Sequence, residues 1–563
     1  MDMKKVFAAL LLAGLAWSAG AQNWQDAYSF SENNYVGTAR SVGMGNAMTA
    51  LGGDLGSLTF NPAGSAVAGY SQLTITPSLS ISTTSAKGDL YTDEGEVLGY
   101  GDAQRAAYTR FKMPNFGLVT QFDTHNNLGL KRFSFGIVGN ATNDFTYQMR
   151  GAGINPFSTL AGALASEAGG WTGAEMTGGW FQSGSMPSWR SMTAYYGGLI
   201  DPLSTDGSYI GLTEVLKDDG TIEQNEPVYQ QYGRRQGGNK YDLLLNFSAN
   251  FSDKFYLGAN IGISSLSYKS EEYWIESPAY TDVPFPVEYD GGTGEFQNLR
   301  LKYQYRASGS GIYAKIGFIA RPFAGLRIGA AIQTPTVLEL KERYGYTASS
   351  NVSGVTRDRV SRSSEEGDWS YELRSPMRVN AGLAYTFGSV GLVSLDYEFA
   401  NYGSCRYRTL YYDDNYDFSY TNSDIKENLG ASHQLRAGLE VRPVPAMALR
   451  LGYNFITGAE KAFNANRQNI SLGVGYSSGG SFFADLGVRM NLMPKLYSTP
   501  YNYYSWFYEN KADGKEYEVD NIMTVDENEI GSWCVQDING TPTPRIAVVP
   551  RLFDVIATIG LRF

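Results

Sequence analysis

The sequence predicts an all-β fold: a closed antiparallel transmembrane β-barrel of about 14 strands with an N-terminal helical plug in the lumen. Three observations predict it: an export signal, segments in which apolar and polar residues alternate, and connections that alternate between short and long. Alternation places the apolar side chains on one face of a strand. Short turns on one rim and long loops on the other are the layout of an outer-membrane barrel.

Residues 1–21 have the pattern of a signal peptide. Lys4 and Lys5 precede an apolar stretch, which ends on small residues at Ala19-Gly20-Ala21. Removing this segment removes two Lys and one Asp, so the formal charge changes from −11 to −12. An acidic chain repels phosphate backbones, and nucleic acid is therefore not an expected partner.

Alternation is clearest from residue 240 onward. In "YDLLLNFSAN", Leu243, Leu245 and Phe247 stand on one face, and the sequence then turns at "SDK" and alternates again. We count eleven strands in this half and three between residues 70 and 149, where Pro77 and Pro114 predict bulges or bends. A two-layer soluble sandwich would bury such an apolar face equally well. The signal, the two unequal rims and the amphipathic final strand ending at Phe563 favour the barrel.

The predicted organisation is a signal peptide at 1–21, a plug or hatch at 22–69 and a barrel at 70–563. The long extracellular loops are expected at about 150–238, 270–297, 340–370, 403–428 and 495–547. Residues 22–69 do not alternate; Met44, Met48, Leu51, Leu55 and Leu58 instead form one helical stripe, interrupted by glycine. This stripe is too short to stand alone, and a lumen of fourteen strands is wide enough to need a plug.

The motif Asn61-Pro62-Ala63-Gly64 ends this segment. Asn before Pro favours a turn, and Gly64 permits a positive φ. The stretch "ARSVGMGNAMTALGGDLGSLTFNPAG" resembles the hatch of the outer-membrane long-chain fatty-acid transporters (FadL-type, including aromatic-hydrocarbon transporters). The segments "PFAGLRIGAAIQTPT" and "SPMRVNAGLAYTFGSVGLVSLDYEF" resemble the mid-barrel of the same family. The resemblance covers the hatch, most strands and the last residue, but not the long loops.

The resemblance implies that outer loops capture a hydrophobic small molecule, which enters the lumen and leaves sideways beside a kinked third strand after the hatch rearranges. The third strand here is "RFSFGIVGNATNDF", in which Gly136, Gly139 and Asn140 could allow the kink, although glycine is also ordinary in barrel strands. It further implies that Phe563 belongs to the signal read by the barrel-insertion machinery. We expect a monomer in the bacterial outer membrane, in contact with its lipid.

The first long loop is rich in Met and aromatic residues, which make adaptable binding walls. The candidates for a capture surface are Phe157, Leu160, Leu164, Trp171, Trp180, Phe181 and Trp189. The same residues could instead form a small core that keeps a long loop folded. The sequence leaves both interpretations open.

The sequence contains no recognisable catalytic motif, so we expect no enzyme, no metal and no cofactor. His125 and His433 have no recognisable partner motif, and catalysis needs positioned partners. Arg378 and Arg436 are candidates for contacts to a ligand head group, or for ion pairs with lumen carboxylates. Cys405 and Cys534 fall in predicted outer loops, where a disulfide could form.

The expected function is passive uptake of hydrophobic small molecules, long-chain fatty acids or similar, through a plugged barrel. Two alternatives remain from the sequence: a surface adhesin or scaffold with an idle lumen, and a porin for polar solutes. An outer-membrane lipase is disfavoured because no nucleophile and base pair is recognisable.

Overall fold

The computed structural model describes residues 23–91, 97–181, 186–203, 207–289, 292–355, 359–410, 416–462, 465–501, 503–510, 516–519, 530–537 and 542–563. The signal peptide predicted at residues 1–21 lies outside the described residues. None of the described helices is long and apolar enough to cross a membrane.

Fourteen antiparallel strands form one closed ring, which confirms the predicted fold class. The strands are β1 (Gln72–Tyr91), β2 (Gln104–Asp123), β3 (Leu130–Asp144 and Tyr147–Asn155), β4 (Val228–Phe251), β5 (Phe255–Pro278), β6 (Gly292–Ala320), β7 (Leu326–Gln333 and Val337–Ser353), β8 (Gly367–Arg374 and Arg378–Phe387), β9 (Gly391–Asn401), β10 (Ala431–Val444), β11 (Met447–Ile456), β12 (Arg467–Ser477), β13 (Phe482–Leu492) and β14 (Thr543–Arg562). Each strand pairs with the next, and β14 closes the ring against β1.

Shorter strands extend the barrel at the long-loop rim or build the loops. They are Val97–Gly99, Ile200–Pro202, Tyr209–Gly211, Glu214–Leu216, Ile222–Gln224, Pro286–Tyr289, Arg359–Ser363, Arg406–Thr409, Leu496–Ser498, Tyr504–Asn510, Glu516–Val519 and Ile530–Asp537. Several barrel strands run further than the sequence suggested. β4 starts at Val228 rather than near 239, and much of 340–370 is strand, because polar residues on both faces above the membrane hid the alternation.

The two faces of the barrel differ as the alternation predicted. Leu383, Leu451 and Leu472 point outward and are 51%, 49% and 58% exposed. Arg436 and Lys315 point inward and are buried. An apolar outer face around a closed ring fits the hydrocarbon layer of a membrane, because the ladders bond the backbone groups that lipid could not satisfy, apart from one stretch of β2.

The helices lie in the hatch and in the loops. They are α1 (Trp24–Ser31), α2 (Ala39–Gly43), α3 (Leu160–Ala168), α4 (Gly173–Met176), α5 (Trp189–Tyr196) and α6 (Ser419–Asn428), with 3-10 turns at Leu55–Thr59, Pro62–Val67 and Tyr402–Ser404. Residues 23–69, called the hatch below, fill the lumen. Their backbone rests directly on the inner wall: a Cβ on Gly452 of β11 would lie 2.0 Å from the nitrogen of Gly45.

The single helical stripe predicted for the hatch is wrong. Gly45 and Asn46 both have φ of +63°, and Gly52 and Gly53 have φ of +63° and +74°. Left-handed residues end a right-handed helix, so the segment turns twice. Met44, Met48 and Leu51 consequently pack in one cluster, whereas Leu55 and Leu58 pack in another against β2, β3 and β4.

Candidate functional site: a gap in the barrel wall

The ladder between β2 and β3 stops halfway up the barrel. Backbone pairing runs from Asp123–Arg132 to Asn115–Asn140 and ends there. Above this point β2 stays paired with β1 as far as the pair Gln104–Ala86. Among the described residues, this part of β2 has no strand partner on the β3 side. The wall therefore has a gap bordered by residues 104–114 of β2.

Proline explains where the ladder ends. Pro114 has no N–H to donate and precedes the last paired residue, Asn115. On the β1 side the register shifts between Thr76 and Ser78, at the predicted bulge around Pro77. The last pair is clamped by side chains, because Asn115 Nδ2 donates to Asn140 Oδ1 at 2.6 Å and Asn140 Nδ2 donates to Thr59 Oγ1 of the hatch at 2.6 Å.

The hatch takes the place of β2 beside the next residues of β3. The backbone N–H of Val36 donates to the carbonyl of Ala141 at 3.1 Å, and that of Asn34 donates to the carbonyl of Thr142 at 2.7 Å. Val36 and Ala141 form an isolated antiparallel bridge. At this level β3 is bonded to β4 on one side and to the hatch on the other.

The upper part of β3, Tyr147–Asn155, bends into the lumen and packs against the inner faces of β1 and β14. Thr84 Oγ1 of β1 donates to the carbonyl of Gln148 at 2.5 Å. A Cβ on Gly151 would run into the side chain of Ile546 in β14, so glycine lets the two strands approach closely with this side chain in place. The gap closes again at its top, where the N–H of Ile154 donates to the carbonyl of Tyr100 at 2.9 Å.

Side chains rather than backbone bonds span the gap. Lys112 of β2 forms an ion pair with Asp144 of β3, and Arg110 Nη1 lies 3.4 Å from Thr146 Oγ1. Both members of the ion pair are largely shielded, with side-chain exposures of 15% and 7%. The opening is thus held by contacts that a rotamer change could release.

The predicted kink residues lie at the lower edge of this gap. Gly136 and Gly139 still pair with Val119 and Phe116 of β2, and Asn140 is the last residue to do so. The bulge itself falls one residue later, between Ala141 and Asn143, where the register with β4 shifts. The kinking role of the two glycines stays a prediction.

The Asn61–Gly64 motif ties the hatch to the wall at β4 to β6. Asn61 caps the turn Pro62–Val67 by accepting from the N–H of Ala63, and its Nδ2 donates to the carbonyls of Thr49 and Phe318, both at 2.8 Å. Gly64 accepts a bond from the N–H of Gly53 at 2.9 Å. Asn61 therefore joins two hatch turns and β6 with one side chain.

Cations of the wall hold the hatch backbone. Lys240 Nζ donates to the carbonyls of Phe30 and Glu32 at 2.9 and 2.6 Å, at the C-terminus of α1, where a cation also stabilises the helix dipole. Further bonds to hatch carbonyls come from Arg489 to Tyr35, from Lys315 to Thr59 and from Arg327 to Leu51. Arg40 of the hatch in turn pairs with Glu440 of β10 at 3.1 Å.

Arg378 and Arg436, the candidate head-group residues, belong to the same network. Arg378 Nη1 pairs with Glu398 Oε1 at 3.0 Å, and Arg436 pairs with the other oxygen of Glu398. Arg378 Nη2 also donates to the carbonyl of Ser31 at 2.6 Å. Arg436 lies over the ring of Phe60 at 4.7 Å. Both guanidinium groups are buried between wall and hatch, and contact with a ligand stays a prediction for them.

The first long loop folds into the mouth of the barrel. Leu160 and Leu164 are buried in one apolar cluster that also contains Met149 of β3 and Ile546 of β14. Trp189 is also buried, and its ring packs against Trp180 and Tyr344. Trp171 and Trp180 pack against the edge of the cluster, whereas Phe157 and Phe181 are 46% and 67% exposed. The helix begins at Leu160, after Thr159 caps its N-terminus. The buried members form a core, and a capture role for the exposed ones stays a prediction.

A polar cluster within this mouth holds Glu214. Its Oε2 accepts from the N–H of Gly211 at 2.8 Å, and its Oε1 accepts from Tyr503 at 3.4 Å. Burial raises the pKa of this carboxyl from 4.5 to about 7, although the bonds from Gly211 and Tyr503 act in the opposite direction. The mouth therefore contains an acid that titrates near neutral pH.

Cys405 lies in the long connection between β9 and β10, and its side chain faces the protein interior. It is a buried free thiol in the cluster around α1, with Sγ 3.5 Å from Ser31 Oγ. The side chain of Cys534 lies outside the described residues, and its pairing with Cys405 stays a prediction. In the described part of the chain, no group of three or more His, Cys, Asp or Glu is arranged to hold a metal ion.

Sequence reasoning missed Asn34, Val36, Lys112 and Asp144. The two hatch residues contribute backbone groups only, so no side-chain pattern marks them. The ion pair joins positions that a regular register would not bring together. Pro114 was the one available signal, because a proline inside a strand marks an interrupted ladder.

No family model matches the sequence, and no curated protein matches it either. Among solved structures, the chain is similar to a FadL homologue of Pseudomonas aeruginosa, with 14% identity, a TM-score of 0.47, and coverage of 93% of this chain and 98% of that one. It is also similar to the toluene transporter TodX of P. putida, with 11% identity, a TM-score of 0.41, and coverage of 95% and 99%. The toluene transporter TbuX of Ralstonia pickettii is similar as well, with 13% identity, a TM-score of 0.43, and coverage of 93% of this chain and 98% of that one.

Proposed function

We propose that this chain is an outer-membrane channel for passive uptake of hydrophobic small molecules, long-chain fatty acids or similar, which leave the lumen sideways between β2 and β3. The observation that carries the proposal is the exchange of partner along β3, from β2 below Asn140 to the hatch above it. The rim with long loops then faces outward and the rim with short turns faces the periplasm.

An unpaired strand edge is costly inside a membrane. Each backbone N–H or C=O without a partner in hydrocarbon costs several kcal/mol. A barrel that leaves residues 104–114 of β2 unpaired on one side, and substitutes a movable hatch for the missing strand, has its weakest wall at this place. Moving the hatch breaks a few hydrogen bonds, whereas opening any other seam breaks a whole ladder.

The surroundings of the gap favour an apolar ligand that moves sideways. Met149, Ile546 and Val548 belong to the apolar cluster of the mouth and line the inner side of the bent β3. By contrast, the cavity of about 240 Å³ between hatch and wall at the short-turn rim is lined by Arg40, Arg327 and Arg442. Apolar surface is favoured next to apolar surface, so the path toward the gap suits a hydrocarbon better than the path to the periplasmic rim.

A disulfide between hatch and β3 tests the proposal. Val36 and Ala141 are bridge partners, and paired residues lie about 4.5–5.5 Å apart at Cα, within reach of a disulfide. In a background of Cys405→Ala and Cys534→Ser, the variant Val36→Cys/Ala141→Cys is reconstituted into vesicles. Uptake of a fluorescent long-chain fatty acid should fall by more than about tenfold when oxidised and recover with a reductant.

The matched control places the same bond in a seam that should not open. Ser85 and Val549 are partners between β1 and β14, and Ser85→Cys/Val549→Cys should leave uptake unchanged in both redox states. Equal uptake by the oxidised hatch variant would rule out the sideways route. Faster entry of a polar dye than of the fatty acid through the wild-type protein would instead favour the porin alternative.

A further inference from the structure

Three cations form a horizontal row on the outside of the barrel. Lys269 of β5 is the direct partner of Arg306 in β6, and Arg306 is the direct partner of Arg343 in β7. All three stand on the lipid-facing side, since Ile263 and Ile312 on the same faces of β5 and β6 are 43% and 56% exposed. Neighbouring strands lie about 4.8 Å apart, so the row spans roughly 10 Å.

The row is only partly neutralised by the protein. Arg343 lies 3.3 Å from Glu366 and 3.7 Å from Asp368. Within the described part of the chain, Lys269 and Arg306 form no ion pair. Glu271, the nearest acid on the outer face of β5, pairs with Lys302 at 3.0 Å. Like charges directly opposite each other destabilise a sheet. An external anion bound between Lys269 and Arg306 would therefore stabilise the β5–β6 end of this row.

The row lies above the apolar belt of the barrel. On the outer faces, Ser265 and Ser267 of β5, Ser308 and Ser310 of β6, and Lys341 and Glu339 of β7 separate it from the apolar belt. Lys269 stands six residues beyond Ile263, and Arg306 stands six residues from Ile312. At about 3.3 Å per residue on a strand tilted by about 40°, the row lies roughly 15 Å above these last apolar residues. Long cationic side chains can also bend toward the membrane. The row stands on the long-loop side, where the sugars and phosphates of an outer-leaflet glycolipid lie.

We propose that Lys269, Arg306 and Arg343 bind the phosphate groups of a phosphorylated glycolipid in the outer leaflet. Lys and Arg bind phosphate by charge-assisted hydrogen bonds, and basic groups beside a membrane recognise anionic lipid head groups. A head group with more than one phosphate can bridge cations on adjacent strands and removes the repulsion between them. The site lies on the outer wall and is independent of what crosses the lumen.

Native mass spectrometry of the detergent-solubilised protein with purified lipopolysaccharide tests the proposal. The wild-type protein should form a complex, and Lys269→Gln/Arg306→Gln should weaken it by at least about tenfold, because two phosphate contacts are lost. Lys302→Gln, on the same face but already paired with Glu271, should bind almost as the wild type does. Retained heat-modifiability on gels shows that the variants are folded.

A second measurement changes the lipid instead of the protein. Wild-type protein titrated with enzymatically dephosphorylated lipid A should bind it as weakly as the double variant binds the intact lipid. Equal binding of both lipids by the wild type would overturn the proposal, and so would an unaffected double variant. Displacement of the lipid by millimolar inorganic phosphate would show a site for free anions and would also overturn it.

Discussion

Two seams of the same barrel are built in different ways. The seam between β1 and β14 is paired from Gln72–Arg562 to Tyr91–Thr543, although it joins the two ends of the chain. The seam between β2 and β3, which are neighbours in sequence, is paired only over its lower half. The strand that completes the ring is thus more firmly joined than two strands of one hairpin.

The difference shows what makes a barrel wall movable. At the first seam a backbone ladder holds the strands, with side-chain bonds between Thr76 and Thr558 and from Ser80 to Asp554 added to it. Losing this ladder in lipid is costly. At the second seam, Val36 and Asn34 of the hatch and the pair Lys112–Asp144 replace the missing ladder. The hatch residues can leave β3 without breaking the ring of strands, which is what the proposed sideways exit requires.

Removal of the hatch should have the largest effect, which is an increase in conductance through the barrel. Deleting residues 23–69 removes the substitute partner of β3 and empties the lumen, so single-channel conductance for small ions should rise by about tenfold or more. Planar-bilayer recordings measure this. Circular dichroism should show an intact barrel, because the ring closes without the hatch. A deletion variant with wild-type conductance would mean that the hatch does not block the lumen.

Loosening the hatch at its anchor on the opposite wall should act on stability. Glu440 is shared by Arg40, Arg442 and Arg450 and is buried. Glu440→Gln leaves these guanidinium groups without their common carboxylate, which should cost about 3–5 kcal/mol in the free energy of unfolding.

Guanidinium unfolding in lipid vesicles measures this cost, and the matched variant is Glu372→Gln. Glu372 pairs with Arg374, whose side chain is 39% exposed, so its loss should cost less than about 1 kcal/mol. Equal losses for the two variants would show that Glu440 does not anchor the hatch.

Removal of the ion pair across the gap should have a smaller effect, and it should increase uptake. Lys112→Met removes the bridge to Asp144, and a partly shielded pair is worth about 0.5–1 kcal/mol, so fatty-acid uptake should rise about two- to fivefold. Lys87→Met at the β1–β14 seam, whose ion pair with Asp89 lies within β1, should leave uptake unchanged. Reduced uptake by Lys112→Met would argue against the pair as a brace of the gap.

The pH dependence of the mouth should give the smallest effect. The folded mouth raises the pKa of Glu214 from 4.5 to about 7, so its stability is highest below pH 4.5 and falls as the pH rises to about 7. Cleavage of residues 156–227 by a protease should therefore be faster at pH 8 than at pH 5, after correction for the activity of the protease. Glu214→Gln should flatten this dependence, whereas Glu223→Gln, at an exposed site in the same segment, should keep it.

The sequence predicted the ring better than the gap. Residues such as Leu243 and Leu451 alternate because lipid lies on one side, and this periodicity is local, so strand number and closure followed from it. The gap depends on which backbone groups lose their partners, and this is decided by contacts between distant segments, such as Val36 with Ala141. Even so, Pro114 marked its position.

The hatch also shows which features the sequence alone does not predict. The spacing of Met44, Met48 and Leu51 fits a helix, but the left-handed Gly45 and Asn46 break it to follow the wall. The placement of the hatch in the lumen followed from its length and the width of the barrel. The hydrogen bonds from Lys240, Lys315 and Arg489 to the hatch could not be predicted from the sequence. A cation that binds backbone carbonyls has no complementary side chain that would mark the contact.

Hydrogen exchange at the hatch tests the central claim most directly. The amides of Asn34 and Val36 are bonded to β3, and they should exchange with solvent deuterium only when the hatch leaves the gap. A saturating long-chain fatty acid should raise the exchange rate of a peptide covering residues 33–37 by at least about fivefold, since passage requires the hatch to move. Peptides from β1 and β14 should not change. An unaltered rate at residues 33–37 under conditions in which the fatty acid is taken up would contradict the account.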